Sequence, residues 1–447
     1  MSISSSAFVS NDADTETLFK RIRPSVDQEV FLQEKWQRIR DHLQSVFRVK
    51  NPSTWLQGSY KYGTLVRPIH SGDEFDVDMG FYISPTPTLQ HTVSQASAYK
   101  GAVRTALSAY AESDADSKNI ATAKERCERV HFQKQFHVDV PCYDYVPSGD
   151  RRTLATQTGG WEDSDPKALY LWFRGLGTEE YRRPLRRAVC YLKVAIGLAY
   201  EYSTGARPSS IMLTVLAAEC YASLRANECT LEEDDRFALV IDKVVERVTM
   251  SAVVANPVDR AEDLNRLNAA ENATFREHLT ALQRKCRAAL STDHPFYSAI
   301  LWGEVFGHFF PIPENPELRL KEGLAKIATI APEIGIEVRS TRTGNHINAF
   351  HNAVPQVDKG CTLLFTISNA ASIPSDGTVE WTVRNEGQEA SDANDLGHKR
   401  IVVGVMHASE TTKYAGRHFM DCVVKRNGRI YAARRVPVTV TNRTTTR

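Results

Sequence analysis

Residues 73–83 read Asp-Glu-Phe-Asp-Val-Asp-Met-Gly-Phe-Tyr-Ile. Phe75, Val77 and Met79 alternate with Glu74, Asp76 and Asp78, the period of two that gives a β-strand one apolar and one acidic face. Asp76 and Asp78 therefore point the same way, about 7 Å apart along the strand. Carboxylates held that close repel unless a cation sits between them, and hard oxygen ligands of this kind suit Mg²⁺ or Mn²⁺. The spacing predicts half of a metal site.

A third ligand should come from a neighbouring strand, and Phe136-His-Val-Asp-Val-Pro-Cys-Tyr offers one. Here Phe136, Val138 and Val140 make the buried face, so His137 and Asp139 share the other. Three carboxylates on two strands can hold two divalent ions across a transferring phosphoryl group. One ion lowers the pKa of an attacking hydroxyl and the other neutralises the leaving pyrophosphate. That is nucleotidyl transfer, with Asp76 and Asp78 expected to hold both ions and Asp139 the one nearest the hydroxyl. Gly58-Ser59 adds a phosphate cradle, because glycine lets the backbone approach closely and the serine hydroxyl can donate. His137 could accept a proton or touch the nucleotide, or be purely structural. Tyr143 and Tyr145 could stack on a base or simply pack. Each signal alone is weak, since Asp-Val-Asp is common on exposed strands and Gly-Ser is usually only a turn. Their order along the chain, with a third acid on a strand of matching pattern, gives them weight.

These residues resemble the DNA polymerase β-like nucleotidyltransferases, whose pattern is Gly-Ser, a spacer, Asp-hydrophobic-Asp and a distant third Asp. The spacer, residues 60–75, is longer than usual. Within that superfamily, Gly58-Ser59-Tyr60, Asp76-Val-Asp78-Met-Gly-Phe-Tyr and Val138-Asp139-Val-Pro-Cys-Tyr are similar to the CD-NTases of anti-phage signalling, the bacterial relatives of cyclic GMP-AMP synthase, and most of all to their dinucleotide-cyclase branch. Leu185 to Lys193 and Arg207-Pro-Ser-Ser-Ile-Met-Leu look like helical-lobe phosphate-binding segments of that branch, which extends the likeness over 25–315. The resemblance implies a role for Lys193 and Ser210 in holding the triphosphate, beside Gly58 and Ser59. It also implies NTP substrates, two Mg²⁺ or Mn²⁺ ions, and a cyclic di- or trinucleotide read by a separate effector protein. A regulatory protein, peptide or RNA ligand is a further possible partner. Trp381-Thr-Val-Arg-Asn-Glu-Gly and Tyr414-Ala-Gly-Arg-His look like the C-terminal sensor domain that accompanies some of these enzymes.

Several elements must position the acids. A chain of 447 residues exceeds one ordinary core and suggests two or three domains. The reading is α+β. Residues 1–150 hold an N-terminal helix and the catalytic palm sheet, 151–320 a helical lobe that completes the nucleotide cleft, and 333–447 a β-sandwich with strands near 362–368, 378–384, 401–406, 419–425 and 436–440. Ser25 with Gln28 forms a capping-box signature, after which Val26, Val30, Trp36, Ile39, Leu43 and Phe47 keep helical spacing for packing behind the sheet. Thr230 with Glu233 and Asp259 with Glu262 suggest two more such boxes. Ser209 or Ser210 should cap the helix after Pro208. Trp302 to Phe310 should close the helical lobe. Lys124, Arg126, Arg129 and Lys134 read as a solvated basic hairpin, although they could face phosphates.

A formal charge of +1 gives no global field toward DNA or an anionic membrane. Eight scattered cysteines with no Cys-x-x-Cys pair fit a reduced, cytoplasmic protein. The first residues lack the basic start and apolar stretch of a signal peptide, and no run of 18 apolar residues exists for a membrane span. Two other functions share the same acids. A linear-oligonucleotide or RNA-extending enzyme would need a basic primer groove, and an inactive nucleotide-binding module would have no need of intact carboxylates.

Overall fold

The computed structural model describes all residues except 1–3, 13–14, 71, 85–90, 147–150, 204, 226, 313–330, 404–405 and 445–447; the side chains of 400–403 and 444 are likewise not described. Two compact units emerge. One holds residues 1–9 and 22–290, the other 10–21 and 291–447.

The first unit is built on a sheet of eight strands: β1 (Ser53–Gln57), β2 (Phe75–Ile83), β3 (Ser117–Ile120), β4 (Glu128–Phe132), β5 (Phe136–Val140), β6 (Cys142–Val146), β7 (Arg151–Ala155) and β8 (Trp161–Asp163). Their order is β3-β4-β5-β2-β6-β7-β8, and β1 also pairs with β2. The first half of β2 runs parallel to β5 and its second half parallel to β6. Pro141, which has no N–H to give a ladder, separates β5 from β6; its carbonyl still accepts from Phe81 N at 2.9 Å. Phe75, Val77, Met79, Phe136, Val138 and Val140 join one apolar core with Phe31, Leu32, Ile39 and Leu43 of the Val26–Val46 helix and Tyr99, Val103 and Leu107 of the Val93–Ser113 helix. One face of the sheet is thereby sealed, and alternation sends the acids to the other.

The long N-terminal helix opens with the expected capping box at Ser25 and Gln28, but its buried stripe differs from the expected one. Val26 and Val30 are 77% and 58% exposed, while Lys35 is fully buried. The Lys35 ammonium ion-pairs with Asp114 at 2.9 Å and Asp116 at 2.6 Å, so a charge with partners takes a place that a hydrophobicity pattern assigns to an apolar side chain. The other two capping boxes do not form. The helix Glu233–Met250 receives its cap from a distance, through Ser5 Oγ accepting from Glu233 N at 3.0 Å, while the Thr230 hydroxyl donates to the Asn227 carbonyl. Asp259 instead builds a turn, its carboxylate accepting from Ala261 N and its carbonyl from Glu262 N. Helices Pro166–Gly175, Glu179–Ala199, Ser210–Ala222, Glu233–Met250 and Ala269–Leu290 follow the sheet along the chain in this unit.

Among the described residues of the second unit, nine strands form two sheets: β9 (Ile334–Ser340), β10 (His346–His351), β11 (Val354–Lys359), β12 (Cys361–Ile367), β13 (Thr378–Asn385), β14 (Gly397–Val403), β15 (His407–Thr411), β16 (Gly416–Arg426) and β17 (Arg429–Thr444). The orders are β10-β9-β12-β15 and β11-β17-β16-β13-β14. Ile336, Val338, Leu363 and Phe365 from one sheet share a core with Val379, Trp381, Met420, Cys422 and Val438 from the other. The segment Trp302 to Phe310, expected to close the helical lobe, groups with this unit instead, beginning within the helix Pro295–Phe306. Its Glu304 explains why, for it pairs with Lys399 at 3.1 Å and Lys425 at 2.8 Å, and both lysines also hold Glu380 at 2.7 Å. Residues 10–21 belong here too, where the Arg21 guanidinium donates to the carbonyls of His308, Asn385 and Leu396 and burial brings its pKa down to about 10.

Burial would push the Glu304 carboxyl up, but Lys399 and Lys425 outweigh it and bring its pKa down to about 2. A depressed carboxyl contributes stability that is complete above its ordinary pKa and disappears as pH falls through the folded value. Glu304→Gln should therefore destabilise this unit at neutral pH by about 3 kcal/mol, and its deficit should shrink as pH falls toward about 2. Thermal melts of both proteins across that range check it; a constant deficit would contradict the assignment.

Candidate active site

Register sets the site. β2 against β5 pairs Asp76 with His137 and Asp78 with Asp139, β4 against β5 pairs Arg129 with Asp139 and His131 with His137, and β1 against β2 pairs Gln57 with Asp78. Asp76, Asp78 and Asp139 thus stand side by side on the face opposite the core.

Asp139 is 8% exposed and takes a two-pronged contact from Arg129, Nε to Oδ1 at 2.5 Å and Nη2 to Oδ2 at 2.7 Å. Burial alone would raise its pKa, but Arg129 outweighs that and holds the carboxyl below the usual range. Asp78 behaves oppositely. Removal from solvent, then the like charges of Asp76 and Asp139, push it well above the ordinary value, against the pull of Arg129 and Lys193. One arginine does not neutralise three carboxylates, and Asp76 Oδ1 is buried with no hydrogen-bond partner. A cluster of carboxylates with surplus negative charge fits a divalent cation.

Gly58 follows β1 directly and has φ of +64°, and a Cβ there would lie 2.0 Å from Asp78 Oδ2. No other residue fits both the backbone angle and that contact. Ser59 lies in the first turn of the short helix Gly58–Tyr62, and its carbonyl accepts from Thr64 N at 2.9 Å. Lys193 is buried, donates to the Thr64 carbonyl and hydroxyl at 3.3 Å each, and has its pKa lowered to about 8 by burial. Ser209 is the residue that caps the Ser210–Ala222 helix, its hydroxyl accepting from Met212 N at 3.3 Å. Ser210 is exposed, and its hydroxyl takes no part in that cap.

Two cavities adjoin the acids. One, of about 630 Å³, is lined by Asp76, His137, Arg129, Lys193, Arg207 and Ser210 among others. The second, of about 890 Å³, is lined by Gly58, Asp78, Asp139, Arg126, Tyr143 and Asn256 among others. Tyr143 does stack, but on Tyr82, with ring centroids 4.7 Å apart, and Tyr145 meets the same ring edge-on.

Arg129, Glu74, His131 and Arg207 border the acids without marking themselves as site residues in the sequence. In the sequence Arg129 reads as part of a solvated basic hairpin. Its signal was present, since Val130 and Phe132 turn inward and leave Arg129 and His131 on the acid face of a strand antiparallel to β5. Glu74 accepts from the Nδ1 of both His131 (2.7 Å) and His137 (2.9 Å). Arg207 grips Asp73 through both terminal nitrogens at 3.0 and 3.1 Å, a contact between distant segments with no local mark.

Residues 52–143 match the family described as cyclic GMP-AMP synthase DncV-like, nucleotidyltransferase domain, and residues 314–441 match the adenylyl/guanylyl and SMODS C-terminal sensor domain. A cyclic GMP-AMP synthase of Escherichia albertii is 29% identical over 389 residues, covering 86% of this chain and 84% of the relative. A c-di-GMP synthase of Roseivirga ehrenbergii is 27% identical over 188 residues, 37% of this chain and 48% of that one. Among solved structures, Vibrio cholerae DncV cyclic AMP-GMP synthase in complex with the linear intermediate 5′ pppA(3′,5′)pG aligns with a TM-score of 0.56 at 18% identity, over 66% of this chain and 94% of that one. The 3′-deoxy GTP bound form of Escherichia coli DncV gives 0.57 at 21%, over 68% and 96%; at such identities the likeness concerns the fold. Residues 52–143 thus match a DncV-like nucleotidyltransferase domain and residues 314–441 a C-terminal sensor domain, and the chain is similar to the CD-NTase enzymes, the cyclic GMP-AMP synthases among them.

Proposed function

We propose that this enzyme joins NTPs into a cyclic di- or trinucleotide by two-metal nucleotidyl transfer, releasing pyrophosphate, and that the product is a second messenger for an effector protein in anti-phage defence. The observation that carries this reading is the pair of cavities meeting at one acid cluster. Each volume lies within the range of about 300–1,000 Å³ usual for ligand pockets, so two nucleotides have room to approach Asp76, Asp78 and Asp139 from different sides. The synthases named above supply the cyclic outcome by analogy.

Asp76, Asp78 and Asp139 would hold the cations. When bound, these supply charge neutralisation on the phosphate oxygens and acidify the attacking ribose hydroxyl. The protein's own contribution is positioning and fixed charge. Arg129 keeps Asp139 ionised and therefore available as a ligand. Gly58 brings its backbone to within side-chain contact of Asp78, and Ser59, Lys193 and Ser210 are assigned to the phosphates. In each transfer a ribose hydroxyl oxygen bonds to an α-phosphorus as the bridging bond to pyrophosphate breaks. The last transfer, the second for a dinucleotide and the third for a trinucleotide, closes the ring in the same cleft. Among the described residues no helix is long and apolar enough to cross a membrane, and the eight cysteines are free thiols; the cytoplasm is the compartment we assign.

Asp76→Ala should lower product formation by at least about a thousandfold without unfolding the protein, because Asp76 is not part of the apolar core. Mass spectrometry of products from all four NTPs with Mg²⁺ or Mn²⁺ reads this directly. A variant that releases pyrophosphate at the parental rate would sink the proposal. Lys193 is charged below its lowered pKa and neutral above it, so triphosphate affinity should weaken as pH rises through about 8. In Lys193→Met that pH dependence should flatten, which KM measured across the interval will show.

A further inference from the structure

Asp76 and His137 face each other across the parallel ladder, and their approach is chemically incomplete. His137 is 6% exposed. Its Nδ1 donates to Glu74 Oε2 at 2.9 Å, and since a carboxylate only accepts, that nitrogen carries the ring proton. Its Nε2 lies 3.0 Å from Asp76 Oδ1, yet both atoms are shut off from solvent and neither makes an aligned hydrogen bond. A bare ring nitrogen and a carboxylate oxygen, buried and facing one another, form a donor pair that a cation would satisfy. A ring nitrogen of His137 and one oxygen each from Asp76 and Asp139 lie within 4.8 Å of one another.

We infer that His137 Nε2 is a nitrogen ligand of the cation held by Asp76 and Asp139, with Glu74 fixing the ring. This rests on reading the three acids as a cation site. The arrangement of carboxylate, imidazole and metal is the usual way a ligating histidine is oriented, its other nitrogen donating to an acid. Here the orienting acid is itself held by His131, which donates to the same Glu74 oxygen at 2.7 Å. Glu74, His131 and His137 also come within 4.8 Å as a set of their own. That set needs no ion, because both Nδ1 protons already point at the carboxylate. The incomplete pair is on the Asp76 side.

An imidazole among carboxylates changes the metal preference. Mg²⁺ favours oxygen and gives up water reluctantly, whereas affinity for mixed nitrogen and oxygen sites rises from Mn²⁺ through Fe²⁺ to Co²⁺. The site is therefore tuned toward Mn²⁺ and its neighbours in the transition series rather than toward Mg²⁺.

Pulsed electron paramagnetic resonance on the full chain with Mn²⁺ alone tests this without relying on turnover. The expected spectrum carries a ¹⁴N coupling that changes to the ¹⁵N pattern when the protein is labelled with ¹⁵N-histidine. His137→Gln should abolish the coupling and weaken Mn²⁺ binding by about tenfold or more, with a smaller effect on Mg²⁺, while His131→Gln should keep the coupling. Bound Mn²⁺ with no histidine coupling in the wild-type protein overturns the inference and leaves the acid cluster standing as a metal site. A wild-type protein that binds no Mn²⁺ overturns both. Because the isotope test uses the unaltered sequence, a variant that fails to fold does not blur the result.

Discussion

Mutual repulsion among three carboxylates is the constraint around which the catalytic unit is arranged. The parallel register of β2 on β5 forces Asp78 beside Asp139 and Asp76 beside His137. The sheet tolerates this because its opposite face is paid for by a continuous apolar core. Arg129 offsets one charge and Glu74 engages two imidazoles, and the charge left over is what the proposed cation site rests on.

The polar groups on that face form a lattice. Each row of the ladder contributes a pair, Arg129 with Asp139 and His131 with His137, and each pair meets a β2 carboxylate at its side. Changing one member leaves a neighbour charged and buried, so single substitutions here carry electrostatic consequences beyond the lost group. Gly58 belongs to this lattice through its absent side chain, since Asp78 fills the space a Cβ would take.

Much of this was legible in the sequence because strand alternation is a local signal. Asp76, Asp78, His137 and Asp139 each sit between buried apolar neighbours, and the structure places all four on the acid face. Arg129 was half visible, since its facing could be derived but not its partner, which depends on register. Helix patterning was less faithful. Val26 and Val30 look like core and are exposed, while Lys35 looks like surface and is buried, because Asp114 and Asp116 arrive from far along the chain. The same holds for Thr230, whose capping role went to Ser5. In the sandwich the strands at 334–340, 346–351, 354–359 and 407–411 fall outside the runs expected from the sequence. His346–His351 is mostly exposed and Val354–Lys359 breaks register against β17, so neither shows the clean alternation that marks a half-buried strand.

The chain visits the sensor-bearing unit twice, first as residues 10–21 and again from 291 onward. Arg21 sends its buried guanidinium to three backbone carbonyls there. Recombination that grafts a foreign sandwich onto residues 1–290 would leave this arginine seeking acceptors that the newcomer lacks. A workable exchange must carry the early segment along with the late one.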